Sequence, residues 1–208
     1  MKSFLSVLLL LLIQNAVIAQ NDPTAKKILD AVGKKVSSFK SMSGNFTIKS
    51  FTSKGKANGV KTGTISMKGS KYVLKQGKTE IICDGTNVYS FDGSKTITVG
   101  PAEDASKSLT PQKILSGSYD KEFNYKLISS NGNLHEIELK PIDTRKNFQK
   151  VTVYVDKAKS IISKAKVLDK SNNTMEFSFS NLNTTTSIED KMFVFNKSKY
   201  PKDVEILD

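Results

Sequence analysis

The stretch Ile81–Val99, IICDGTNVYSFDGSKTITV, decides the fold. It reads as three short strands separated by Asp84-Gly85 and Asp92-Gly93. Asp-Gly pairs of this kind supply the positive φ that tight reversals between strands require. The apolar residues Ile81, Val88, Tyr89, Phe91, Ile97 and Val99 are its main content, and no reactive group stands among them except Cys83. The pattern is that of an antiparallel meander with a greasy face.

Working outward, the same pattern repeats. GTISMKG, KYVLKQ and TEIICDG lie around it, preceded by NFTIKSFT. FNYKLISS, LHEIELKP, QKVTVYVD, SIISKAKVLD and TMEFSFSNL follow. Ser53–Gly59, Asn131-Gly132, Asp156-Lys157 and Asp169–Asn173 supply the turns. Pattern counting gives about eleven strands, and short turns between consecutive strands make them antiparallel. One helix precedes the strands and a second interrupts them. In NDPTAKKILDAVGKKVSSF, Asp22 can cap and Pro23 suits the first helical position. Ala25, Ile28, Leu29, Val32, Val36 and Phe39 recur at helical spacing. In the segment Pro101–Phe123, Thr110 can cap and Pro111 can open a short helix carrying Ile114 and Leu115. The expected fold is mainly β, of the α+β type: a curled, half-open antiparallel sheet or barrel covered by an N-terminal helix and a short helical lid.

The N-terminus indicates the compartment. Lys2, an apolar run from Phe4 to Ile13, and Val17-Ile18-Ala19 match a secretory leader cleaved before Gln20. The run is shorter than the ~20 residues needed to span a bilayer. The expectation is a leader over residues 1–19 and one exported domain over 20–208.

The formal charge is +12, or +11 once Lys2 is lost with the leader, and Arg145 is the single arginine. Nucleic-acid readers use arginine forks and interleaved aromatics, so this composition argues against nucleic acid. The lysines are spread along the chain as on a solvated surface, with attraction to acidic partners or anionic lipid as a second reading. Cys83 has no partner for an internal disulfide and reads as a small buried hydrophobe. His135 is the single histidine and has no Cys, His or carboxylate cluster at ligand spacing, so neither metal nor cofactor is expected.

With these elements in place, the chain resembles the outer-membrane lipoprotein carrier (LolA) family. Four stretches carry the likeness in order: SFKSMSGNFT (Ser38–Thr47), GTISMKGSKYVL (Gly63–Leu74), IICDGTNVYSFD (Ile81–Asp92) and DKMFVFNKSKYPKDVEILD (Asp190–Asp208). Each is weak alone, and their order and spacing are fairly specific. The resemblance implies a periplasmic chaperone, expected to be a monomer, that shelters lipoprotein acyl chains between sheet and lid. It would receive them from an inner-membrane ABC lipoprotein-releasing transporter and deliver them to an outer-membrane acceptor. Such a carrier needs no catalytic residue. The cavity candidates are Phe46, Ile48, Ile65, Met67, Tyr72, Leu74, Val88 and Phe91 from the first meander. Ile114 and Leu115 from the lid join them, with Ile28, Leu29 and Val32 from the first helix. A one-residue register slip would exchange the faces, and a plain core role competes at each position.

The chain departs from the family where members carry Lys-Arg-Pro after the second strand. Here Lys68-Gly69-Ser70 stands instead, leaving Lys68 as the nearest lid contact without an arginine fork. Tyr89 replaces a Trp and Cys83 a Ser. The alternatives are a periplasmic lipid or glycolipid binder or a stress sensor on the same scaffold, an esterase using His135, and a structural β-domain without a cavity.

Overall fold

The computed structural model describes residues 21–102, 109–117, 119 and 121–208. The expected leader, residues 1–19, lies outside the described residues, as does the 103–108 part of the helical insert. No helix among the described residues is long and apolar enough to cross a membrane.

Helix α1, Pro23–Ser37, begins where the sequence places it: Asp22 is extended and its Oδ1 accepts from Thr24 N at 2.8 Å. The strands are β1 (Met42–Phe51), β2 (Ala57–Lys68), β3 (Lys71–Gln76), β4 (Thr79–Cys83), β5 (Asn87–Phe91) and β6 (Thr96–Pro101). A short helix, α2, spans Pro111–Ser116, with the Thr110 hydroxyl accepting from Lys113 N at 3.1 Å. Then come β7 (Phe123–Ser129), β8 (Leu134–Pro141), β9 (Phe148–Asp156), β10 (Ile161–Asp169) and β11 (Thr174–Asn183). A tail ends in β12 (Glu205–Leu207).

Among the described residues, twelve strands form one sheet in the order β12-β6-β5-β4-β3-β2-β1-β11-β10-β9-β8-β7. Two meanders are joined where β1 meets β11. The sheet curls without closing, so β12 and β7 are its edges. The sequence pattern misses β12, which pairs parallel to β6 through Ile206 and Ile97. A three-residue exposed strand reached from a distant segment leaves no alternation to read.

The Asp-Gly turns work through both residues. Gly85 and Gly93 take φ of 101° and 87°. Asp84 Oδ1 accepts from Thr86 N and Asn87 N, both at 2.8 Å, and Asp92 Oδ1 accepts from Ser94 N at 2.7 Å. These bonds replace ladder bonds the chain loses as it reverses.

The concave face is apolar from β5 across to β7. Val151, Val153 and Val155 of β9 point inward alternately, while Tyr154 faces out. Phe148 also points inward although it is three residues from Val151, because the pairing with β10 is irregular between Leu168 and Asp169. The convex face of β8–β11 is a solvated ladder of charges, with Lys150 Nζ on Glu138 at 2.7 Å and Lys164 on Glu176 at 3.5 Å. The convex face of β3–β6 is instead covered by the tail.

Candidate functional site

The site is the concave face and the two helices lying on it. Met67 of β2 stands opposite Tyr72 of β3, which stands opposite Cys83 of β4, which stands opposite Val88 of β5. That row and the parallel row Ile65–Leu74–Ile81 form one half of the floor. Phe46, Phe177, Ala165, Val153 and Ile137 continue it into the other half. Gly63 makes room for the Phe46 ring: a Cβ there would lie 2.5 Å from Phe46 Cζ and 2.2 Å from the Lys75 carbonyl oxygen. Burial pushes the Tyr72 phenol up to about 12, with Cys83 adding to the rise, so it stays neutral at ordinary pH. The Cys83 thiol is raised for the same first reason and is no activated nucleophile.

From the helices, Leu29 and Val32 of α1 and Ile114 and Leu115 of α2 are buried in this floor, and Ile28 packs at its margin. The helices touch through glycine. Gly117 ends α2 with φ of 70°, and a Cβ on it would come within 2.8 Å of Val32 Cγ1. Any side chain there would meet both the positive φ and the α1 surface.

The helices are tied down differently. At α1, Asp22 Oδ2 accepts from Leu127 N at 3.0 Å and Asn21 Oδ1 accepts from Tyr125 N at 2.8 Å. The chain entering α1 thus blocks the edge of β7. Hydrogen bonds to the Leu127, Ala25 and Thr24 amides outweigh desolvation and hold the Asp22 carboxyl below its ordinary value. Helix α2 depends on side chains. Glu122 sits between Lys113 of α2 and Lys146 of the β8–β9 loop, bonded to Lys113 and, at 3.0 Å, to Lys146. The two lysine side chains are 15% exposed and Glu122 is 29% exposed. Burial would raise the Glu122 carboxyl, but the hydrogen bonds from the two lysines outweigh it and hold it low. The Tyr119 hydroxyl, fully buried, donates to Ile114 O. Nothing in the sequence pattern marks this clasp, because its members come from three separate segments.

Among the gaps that open onto the covered face, two lie at opposite ends of the strands. One, of about 350 Å³, lies between the C-terminal end of α1, α2 and the β2–β3 turn, among Phe39, Met42, Met67 and Gln112. The other, of about 910 Å³, lies at the opposite end of the strands among Leu109, Phe148, Val167 and Met175, rimmed by Arg145 and Lys146. Between them the helix side chains fill the concavity.

Two sequence expectations fail on placement. Phe91 does not line this face. It lies three residues from Val88 with no bulge in either β5 pairing, so it points outward, where its ring meets Tyr200 at 5.0 Å. Lys68 does not reach the lid. Its Nζ donates to Ile188 O at 3.2 Å and pairs with Asp190 at 3.3 Å, both in the tail.

The tail is a strap across the convex face. Ile188 and Phe193 bury against Val73 and Ile82. Tyr89 stacks on Phe195 with centroids 4.4 Å apart, and the Tyr200 hydroxyl donates to Glu80 Oε2 at 2.6 Å. Ser41 pins its start, donating to Thr186 O at 2.6 Å and accepting from Ile188 N at 3.2 Å. A groove of about 1150 Å³ remains between strap and sheet, floored by Ser43, Thr64 and Ser66. His135 lies with Ser130 Oγ 2.9 Å from its Nδ1. Burial, then Lys157, lowers its pKa and favours the neutral ring. Among the described residues no His, Cys, Asp or Glu group has the arrangement of a metal site.

The profile described as outer membrane lipoprotein carrier protein LolA matches residues 37–196, which runs from the end of α1 into the strap. The chain belongs to the LolA family. Members of the family are binding and carrier proteins. Among solved structures, an uncharacterized conserved protein from Thermus thermophilus superposes with a TM-score of 0.58 at 11% identity, over 88% of this chain and 98% of that one. MucB superposes with a TM-score of 0.50 at 16% identity, over 84% of this chain and 64% of MucB. A LolA-superfamily protein from Nitrosomonas europaea matches at 16% identity and a TM-score of 0.47, over 82% of this chain and 97% of that one. At these identities the first two structures show a shared fold. A search of curated sequences gives no significant match.

Proposed function

We propose that this protein is a periplasmic carrier that takes lipoproteins released from the inner membrane, shelters their acyl chains under α1 and α2, and delivers them to the outer membrane. One observation carries the reading. Among the described residues, a continuous apolar sheet face is covered by one helix of 15 residues and one of six, rather than by a second sheet or a thick helical layer. The shorter helix is held by a few side-chain bonds that can break and re-form.

The need for such a cover follows from the cargo. Each methylene exposed to water costs about 0.8 kcal/mol, so a chain of about fifteen methylenes costs about 12 kcal/mol. A diffusing carrier must offset that with apolar surface of its own. In the closed state Ile114, Leu115, Leu29 and Val32 occupy the concavity, and an acyl chain replaces them against the same floor. The partners on this reading are an inner-membrane ABC lipoprotein-releasing transporter and an outer-membrane acceptor.

The test is release from spheroplasts making a labelled triacylated lipoprotein. ATP-dependent appearance of the label in the supernatant, bound to this protein, is the expected result. Equal binding of the delipidated lipoprotein would refute the reading. No release, with free lipid seen on the purified protein by native mass spectrometry, would instead favour a lipid or glycolipid binder on this scaffold.

A further inference from the structure

The net charge is not spread as the lysines are. Residues 31–79 contain eleven lysines and no aspartate or glutamate, so this stretch accounts for +11 of the +12 and the rest of the chain is nearly balanced. Folding places it as the end of α1 and the strands β1–β3. Part of it is neutralised from elsewhere: Lys68 and Lys71 by Asp190 of the strap, Lys75 by Glu80. The β1–β2 hairpin is not. Lys49, Lys54, Lys56 and Lys61 are all exposed, and among the described residues none of the four forms an ion pair.

The same hairpin has an incomplete neighbour. β1 is paired with β11 to its last residue, Phe51 with Thr174, but β3 pairs β2 only from Thr64 to Lys68. Ala57–Thr62 are exposed on both faces, and Val60 stands 62% exposed between Lys56 and Lys61. The larger gap onto the concave face opens at this end of the strands. Met175, which lines it and is 37% exposed, is the strand partner of Ser50 in β1. Cationic side chains, an exposed valine and an entrance to the apolar floor therefore share one end of the molecule.

We propose that this end is a docking surface for an anionic bilayer, with Lys54, Lys56 and Lys61 meeting lipid phosphates and Val60 entering the interface. Basic residues next to a small apolar element are what a negatively charged membrane surface attracts. Lysines along an open strand edge also discourage pairing with another strand, which disfavours an added β-strand as the occupant. Docking in this orientation turns the Leu109–Met175 opening toward the lipid.

The experiment is co-sedimentation of the purified protein with vesicles of phosphatidylethanolamine and phosphatidylglycerol, and with phosphatidylcholine vesicles, across a salt series. Binding to the anionic vesicles that falls with salt is expected. The combined Lys54→Gln, Lys56→Gln and Lys61→Gln variant should lose about fivefold per lysine, roughly a hundredfold in all. A variant with the same charge loss elsewhere, Lys126→Gln, Lys159→Gln and Lys202→Gln, should stay within about threefold of the parent, as its lysines lie outside the hairpin. Equal loss in the two variants, or equal binding to phosphatidylcholine, would overturn the proposal. Circular dichroism checks that both variants are folded. These vesicles hold no lipoprotein, so failure here leaves the carrier reading standing, and failure of spheroplast release leaves this one standing.

Discussion

Replacing Glu122 with Gln should loosen the lid without loosening the strap. The carboxylate accepts from Lys113 on α2 and from Lys146 on the β8–β9 loop, and all three side chains are mostly but not wholly buried. Exposed pairs contribute about 0–1 kcal/mol and breaking a fully buried pair costs about 3–5 kcal/mol. For this intermediate burial, discounted for screening, a loss of about 1–2 kcal/mol follows, or about 5–30-fold in the open population. Cys83 supplies the readout. It is the chain's single cysteine, is 2% exposed, and lies in the same apolar cluster as Ile114 and Leu115. When closing is faster than labelling, its modification rate tracks the open population. The expected result is a rise of about 5–30-fold in labelling rate for Glu122→Gln, with a shallow urea dependence that marks local opening. Lys68→Met, which removes a strap contact on the other face, should leave the rate within about twofold of the parent. An unchanged rate in Glu122→Gln, or one rising only in proportion to global unfolding, would refute the clasp. The pH dependence has a definite sign. Glu122 is held below its ordinary value, so its contribution is complete above the unfolded carboxyl pKa and is lost as pH falls through the folded one. With an acid-tolerant thiol reagent, the parent should approach the variant only below about pH 4.

Three further outcomes follow from particular contacts. Gly63→Ala should destabilise the fold by about 1–3 kcal/mol in urea denaturation, because its Cβ meets Phe46 and the backbone oxygen of Lys75; a neutral result would mean that β2 and β3 can separate freely there. Tyr200→Phe should lower stability by about 1–2 kcal/mol through the lost bond to Glu80, and limited proteolysis should then cut within residues 184–208 first. Asp22→Ala removes an N-cap and a bond to the β7 edge together, so a loss of about 1–2 kcal/mol is expected at pH 7. That difference should shrink below about pH 4, since the parent's carboxyl is held low and its stabilisation disappears on protonation.

The eleven long strands, both helices and both helix caps are legible in the chain because they are local. Alternation, capping side chains and Asp-Gly reversals act within a few residues, and the fold's order of elements follows from them. Even the inward set is largely readable: Phe46, Ile65, Met67, Tyr72, Leu74 and Val88 share a face through the period of two. Sequence alone also concentrates the positive charge into residues 31–79. What it leaves undetermined is where a segment distant along the chain comes to lie. An apolar residue near a turn, such as Phe91, reads the same on either face, and the strap's Tyr200 explains why an aromatic can be half-buried outside. The family resemblance points Lys68 toward the lid, whereas folding brings Asp190 to it first. The Lys113–Glu122–Lys146 clasp, the glycine contact between α1 and α2, and the union of the basic hairpin with the Met175 opening depend on pairings that only the curled sheet creates. Local rules set which residues form strands and helices; long-range closure sets which surfaces face each other, and the proposed carrier function rests on the second.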